Sequence, residues 1–173
     1  MNNIFVKPNS PFYRFARIIN LGHIEKDVFL VYMKKTLISA DVNVSDEFLN
    51  SILDFTNGHP FYTQLFLQQL VISNLIGERN ISFENLLNNI LLLEKNYLES
   101  LWDKVSFSKE QAKVVIELAK RTKSLYRYLN HRKINIPRVL NKLLGSGTVL
   151  KHGQNYFLSD PLFEYWIKKY IIN

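Results

Sequence analysis

Apolar residues recur at helical spacing along most of the chain, and the breaks between the runs carry turn and cap residues. From Glu25 to about Ser39, Phe29, Met33 and Leu37 stand four apart and predict an amphipathic helix. Ser45 caps a second, with Phe48, Ile52 and Phe55 on one face and Asp46-Glu47 in the first turn, where the helix dipole favours acids. Asn57-Gly58 ends it, since glycine takes the left-handed conformation cheaply. Pro60 then opens a third helix at a position where a missing N–H costs nothing. That helix, Phe61 to about Ile76, is apolar nearly all round and is expected at the buried centre of a bundle. Ser82 opens a fourth, with the stripe Leu86, Ile90, Leu93, Tyr97 and Leu101. Four helices with short connections predict a compact four-helix bundle.

The pattern changes after Ser108. Ser108 and Gln111 have capping-box spacing, and Ala112, Val115, Ile116 and Ala119 give the following helix one apolar face. A short helix is expected from Leu125 to Asn130. Another begins near Pro137 and buries Val139, Leu140, Leu143 and Leu144, until Gly145 and Gly147 stop it. Thr148–Lys151 and Asn155–Leu158 read as two short strands around the turn His152-Gly153-Gln154, a hairpin. Asp160 caps a closing helix with Pro161 at its first position and Phe163, Trp166, Ile167 and Tyr170 facing inward. Three helices and a hairpin in that order predict a winged helix-turn-helix. The fold class is thus mainly α, a four-helix bundle followed by a winged helix with a small β-hairpin.

The first residues fit neither module. Pro8 and Pro11 bracket a turn, and Phe15-Ala16-Arg17-Ile18-Ile19 reads as a short strand with no β-partner nearby. It is expected to belong to a sheet outside this sequence.

Composition sharpens the division. Of 173 residues 47% are hydrophobic, and only 6 Gly and 5 Pro interrupt them, which suits long helices. With no cysteine, disulfides and thiolate metal sites are excluded and a cytoplasmic setting is expected. No apolar run approaches the ~18 residues of a membrane helix, and Met1 to Pro8 lacks the marks of a signal peptide. The net charge of +7 is unevenly spread: residues 1–106 hold 9 Lys+Arg and 11 Asp+Glu, a net of −2, while residues 107–173 hold 13 and 4, a net of +9. Such asymmetry points to an acidic partner for the second module, with a merely solvated lysine-rich surface as the plainer alternative.

Several chemistries are missing. No G-x-x-x-x-G-K-[ST] phosphate loop occurs, and Gly145-Ser146-Gly147 lacks the third glycine of a dinucleotide fingerprint. His23, His59, His131 and His152 lie far apart, so no metal site is expected. No nucleophile-elbow motif occurs, and no catalytic residue is assigned.

Asn57-Gly58-His59-Pro60-Phe61-Tyr62-Thr63-Gln64, set between two helices, resembles the G-x-P segment in the lid of AAA+ and STAND-type ATPases, particularly the archaeal-type ATPase family. Ser10-Pro11-Phe12-Tyr13 and the strand running to Leu21 resemble the chain leaving the last core strand of such an enzyme. Ser159-Asp160-Pro161-Leu162-Phe163 followed by Trp166 resembles the family's D-P-L-F-x-x-W ending. The resemblance implies three parts: a remnant strand and linker over residues 1–24, a helical lid over 25–106, and a winged-helix domain over 107–173. In the family, a preceding core carries the phosphate loop and the residues that hold magnesium and activate water. None of those positions occurs here, so ATP and magnesium are expected only together with that core, and no hydrolysis is expected of this chain alone.

The resemblance also places Gly58, His59 and Pro60 beside the nucleotide, where glycine permits close backbone approach and the helix start presents its positive end. The plain alternative is a tight helix–helix connection. Arg14 and Arg17 flank the lone strand and are candidate phosphate contacts. No arginine closely follows the turn, so the arginine sensor of the AAA+ lid is not expected.

In a winged helix the third helix enters the major groove and the wing touches the backbone. Arg138, Asn141 and Lys142 share one face of that helix, with Asn135 at its start and Arg132 and Lys133 before it; Lys151 and His152 decorate the wing. Arginine reads guanine, asparagine reads adenine, and lysine neutralises phosphate. Double-stranded DNA is therefore the expected partner, with a protein partner or a purely structural role as the other readings of the same surface. Tyr126, Tyr128, Phe157 and Trp166 are expected to fill the core. The leading expectation is the C-terminal regulatory part of an ATPase. The rival is a free-standing winged-helix DNA-binding regulator whose helical bundle dimerises or senses a ligand.

Overall fold

The computed structural model describes residues 24–78, 80–122, 125–129 and 134–172, the side chains of residues 127 and 128 aside. The strand read at Phe15–Ile19, the candidate phosphate contacts Arg14 and Arg17, and Arg132 and Lys133 lie outside the described residues.

Helix α1 (Lys26–Ser39) buries Phe29, Met33 and Leu37. Each fully buried side chain of this kind contributes about 1.5–3 kcal/mol. Helix α2 (Asp46–Thr56) starts where the Ser45 hydroxyl accepts from the Phe48 N–H at 3.2 Å, and it ends on Asn57, at φ 50°. Gly58 continues the left-handed turn at φ 67°. Helix α3 (Pro60–Leu75) follows at once, with Pro60 in its first turn. It does not sit at the centre of a bundle as its composition predicts: Tyr62, Phe66, Leu67 and Leu70 are buried, whereas Phe61, Ile72 and Leu75 face solvent. Among the described residues its main helix contacts are with α1, α2 and the next helix, and part of its circumference stays uncovered.

The long fourth helix read from Ser82 is two helices, α4 (Phe83–Leu93) and α5 (Lys95–Ser106). Glu94 leaves helical geometry at φ −90°, ψ 6°. The break takes Leu93 and Tyr97 off the expected buried stripe, leaving both exposed, and buries Leu98 and Val105 instead. Tertiary packing overrides the sequence pattern here, because α5 must turn to meet the elements that follow.

Helix α6 (Lys109–Ala119) starts at Ser108, whose hydroxyl accepts from the Gln111 N–H at 3.5 Å. The return bond of a capping box is replaced, since the Ser108 N–H donates to the Val105 carbonyl at 3.3 Å. The short α7 (Leu125–Leu129) buries Leu125 and Leu129. Helix α8 (Ile136–Ser146) is capped by the Asn135 side chain, which accepts from the Arg138 N–H at 3.1 Å. It runs through Gly145 and stops at Gly147, whose φ of 78° is left-handed.

Strands β1 (Val149–His152) and β2 (Asn155–Leu158) pair antiparallel, Val149 opposite Leu158 and His152 opposite Asn155. The turn is therefore the two residues Gly153-Gln154, shifted from the three read in the sequence, and Gly153 supplies the positive φ of 60° that a tight hairpin needs. Helix α9 (Pro161–Ile167) closes the chain on an Asp160 cap, the Phe163 N–H donating to Oδ1 at 2.9 Å. A π-helical segment, Lys168–Ile172, follows. Its wider i→i+5 winding carries Tyr170 off the inward face expected for it, and Tyr170 is exposed.

Helix α9 knits the two halves together, packing on α2, α5, α6 and β2. Phe55 meets Tyr165 edge-on at 5.7 Å, and Trp102 lies 6.4 Å from Trp166. The buried side chains of both halves form one continuous cluster. Among the described residues no helix is long and apolar enough to cross a membrane.

Candidate functional site: the cleft at the Gly58-His59-Pro60 turn

The turn is built from beneath. Thr56 and Thr63 are buried on either side of it, their hydroxyls 2.9 Å apart. Thr56 already donates to the Ile52 carbonyl at 2.9 Å, so Thr63 is the donor of the pair. Gly58 is required twice over. Its φ is left-handed, and a Cβ there would stand 3.3 Å from the carbonyl oxygen of Ile24, in the segment entering α1. Pro60 fixes the start of α3, and the His59 carbonyl takes the Thr63 N–H at 3.0 Å.

On one side of this turn lies a cleft of about 320 Å³ lined by His59, Phe61, Tyr62, Glu94, Tyr97 and Asp160. Three separate stretches of chain converge there: the turn with the start of α3, the α4–α5 break with the first turn of α5, and the cap of α9. Tyr62 is 3% exposed and donates through its hydroxyl to Asp160 Oδ2 at 2.5 Å. Burial, reinforced by the Asp160 carboxylate, pushes the Tyr62 phenol far above its ordinary range. Burial also raises the half-exposed Tyr97, with Asp160 and Glu94 adding to it. The His59 ring sits 4.9 Å from the Tyr62 ring, and its Nδ1 is buried with no hydrogen-bond partner among the described residues. Among the described residues no Lys or Arg lines the cleft.

The sequence singled out Gly58, His59 and Pro60 but not Glu94, Tyr97 or the second oxygen of Asp160. Glu94 was unremarkable inside what read as one long helix, and Tyr97 read as core. Among the described residues two carboxylates, Glu94 and Asp160, line this side of the turn.

The basic residues occupy a different surface. Arg138, Asn141 and Lys142 are exposed on α8, at spacings that place them on one face, opposite the buried Val139, Leu140 and Leu143. Asn135 is exposed too, with its side-chain oxygen already engaged in the cap. Lys151 and His152 are exposed on β1, and the Lys151 ammonium lies 5.6 Å from the Tyr156 ring. Of the aromatics expected in the core, Trp166 is buried, but Tyr126 and Phe157 are exposed. Phe157 pairs across the hairpin with Leu150, which is exposed as well. A two-stranded hairpin has one face without a covering layer, and this pair lies there. Among the described residues no group of three or more His, Asp or Glu is placed to hold a metal ion.

No family model matches the chain. No curated protein matches it either. Among solved structures it is similar to a Walker-type ATPase of Pyrococcus abyssi, with a TM-score of 0.65 and 14% identity over 94% of this chain and 47% of that one. The fold is ATPase-related. The chain spans about half the length of that ATPase, and at 14% identity the likeness is one of fold.

Proposed function

We propose that this chain is the C-terminal regulatory portion of a Walker-type ATPase of the AAA+/STAND kind. Residues 25–106 act as a helical lid and residues 107–173 as a basic winged helix. The observation that carries the reading is the shared fold, which takes in 94% of this chain but 47% of the Pyrococcus ATPase. The order α6, α7, α8 and hairpin supports the winged-helix assignment. On this reading ATP and magnesium are held by a core that carries the phosphate loop, and residues 25–173 do not hydrolyse ATP themselves. On the same reading the Gly58-His59-Pro60 turn relays the nucleotide state, and Arg14 and Arg17 are candidate phosphate contacts in the complete enzyme.

Duplex DNA is the partner favoured for the winged helix. Arg138, Asn141 and Lys142 stand together on the exposed face of α8, and Lys151 and His152 extend the same basic character onto β1. Arg132 and Lys133 add to it by their place in the sequence. The exposed Leu150–Phe157 pair favours a second reading, a protein partner on the hairpin.

Fluorescence anisotropy of labelled duplex across a salt series tests the DNA reading. Binding that falls steeply with salt and is lost in Arg138→Ala/Lys142→Ala supports it. No binding at low salt turns the winged helix toward a protein partner. Hydrogen exchange tests the lid: joined to a core carrying a phosphate loop, the chain gains protection in the first turn of α3 on adding ATP. A first turn indifferent to ATP in that setting leaves the rival, a free-standing DNA-binding regulator.

A further inference from the structure

The outward ridge of α3 matches its own image, and we infer that it is the contact between two copies of this chain, packed antiparallel about a two-fold axis at Gln68. Phe61, Leu65, Gln68, Ile72 and Leu75 stand four, three, four and three apart, the spacing that keeps one ridge of a helix turned toward a single partner. The buried side of α3 is the opposite one, formed by Tyr62, Phe66, Leu67, Leu70 and Ser73. With respect to the described residues the ridge is open: Phe61 is 53%, Ile72 40% and Leu75 77% exposed, Gln68 is exposed and Leu65 half-buried.

Charge favours a second copy as the occupant. A face that meets itself brings like charges together wherever it carries any, and such contacts are unfavourable. Helix α3 carries none, since its 16 residues include no Asp, Glu, Lys or Arg. That neutrality is local, because residues 25–106 as a whole hold 6 Lys+Arg and 11 Asp+Glu, a net of −5.

The order of residues supplies the fit. Turned end for end about Gln68, the ridge sets Phe61 opposite Leu75 of the second copy and Leu65 opposite Ile72. The same pairs recur on the other side of the axis, as a two-fold contact requires. Gln68 meets Gln68, and an amide carries both donors and an acceptor, so the two bond to each other. One polar pair within an apolar seam fixes its register.

Helix α1 widens the face. It runs beside α3 in the same direction: the Ile24 carbonyl lies against Gly58 at their starts, and the Asn74 side chain donates to the Asp41 carbonyl at 3.3 Å near their ends. Between them is an open groove of about 430 Å³, walled by Tyr32, Thr36, Leu67 and Val71 together with the first half of the ridge. In the antiparallel pairing Ile72 and Leu75 of the second copy lie over this groove. Two helices side by side, about 24 Å long and about 20 Å across, present on the order of 500 Å² per copy. A total of about 1,000 Å² stands at the lower limit of a specific interface, which sets the expected dissociation constant in the micromolar range. The inference uses neither a nucleotide nor the basic face of α8, so it stands apart from the ATPase and DNA readings.

Sedimentation velocity of the full chain from about 1 to about 500 µM tests it. The expected result is a reversible monomer–dimer equilibrium that added sodium chloride does not weaken, because the ridge is uncharged, in contrast to duplex binding. Leu75→Arg, at an exposed position, weakens the association about tenfold or more while the thermal unfolding of the monomer is unchanged. Gln68→Glu alone and Gln68→Lys alone each weaken it about tenfold or more, since like charges then meet on the axis, whereas an equimolar mixture of the two variants restores a mixed dimer. A chain that stays monomeric throughout overturns the inference and leaves residues 1–23 or another protein to cover this face. A dimer indifferent to Leu75→Arg places the contact elsewhere and overturns it too. A mixture that associates no more tightly than either Gln68 variant alone overturns the two-fold pairing at Gln68.

Discussion

Tyr62 and Asp160, 98 positions apart, are joined by a 2.5 Å hydrogen bond that ties the first turn of α3 to the cap of α9. The same carboxylate caps α9 through its other oxygen, so one residue holds a helix start and a cross-chain contact together. Losing the Tyr62 hydroxyl should cost about 2 kcal/mol, as for a hydrogen bond to a charged group. Tyr62→Phe therefore lowers the urea midpoint without changing the slope. Asp160→Ala costs more than Asp160→Asn, because only the asparagine keeps the cap.

The raised Tyr62 phenol sets a pH dependence. The folded protein keeps this proton above the ordinary value of 10.0, whereas the unfolded chain releases it there. The unfolded state thus binds fewer protons above that point, and stability falls as pH rises. Below it the contribution is fully present. Thermal unfolding followed from pH 8 to about 11.5 should show a steeper decline in the wild type than in Tyr62→Phe.

Gly58 holds a left-handed φ with the Ile24 carbonyl 3.3 Å from where a Cβ would stand. Gly58→Ala should destabilise by about 1–2 kcal/mol through backbone strain alone. Chemical denaturation of the isolated chain measures it. An unchanged midpoint would mean that the glycine serves the turn's surroundings rather than its conformation.

Arg138 and Lys142 are exposed on one face of α8. If each neutralises one phosphate, their joint replacement by alanine lowers the slope of log affinity against log salt by about 2 for duplex DNA. Anisotropy at several salt concentrations checks this. An unaltered slope would place the phosphate contacts elsewhere on the module.

Much of the fold was legible because local signals suffice where they are strong. Ser45, Ser82 and Asp160 each cap a helix through the side chain, as their place before an apolar stripe implies, whereas Asn135, read as a DNA contact, also proves to be a cap. The two strands of the hairpin were legible around Gly153, although the turn between them is one residue shorter than the sequence reading has it. Legibility failed where a neighbour far along the chain decides the outcome. Leu93 and Tyr97 fit a helical stripe, yet the backbone turns at Glu94 because α5 must reach α6 and α9. Phe157 and Tyr126 look like core aromatics, and only the layering shows that nothing covers them.

The candidate site divides the same way. The turn at Gly58, His59 and Pro60 is written locally, in residues whose backbone preferences act over three or four positions. Its chemical character is not. The sequence by itself determined most of the helices, the Ser45, Ser82 and Asp160 caps, the two strands and the charge imbalance, because each depends on near neighbours or on composition. Only the tertiary structure brought Glu94, Tyr97 and Asp160 against His59 and Tyr62, because an electrostatic environment is a sum over residues near in space, and hydrophobic periodicity does not record which polar groups will face one another.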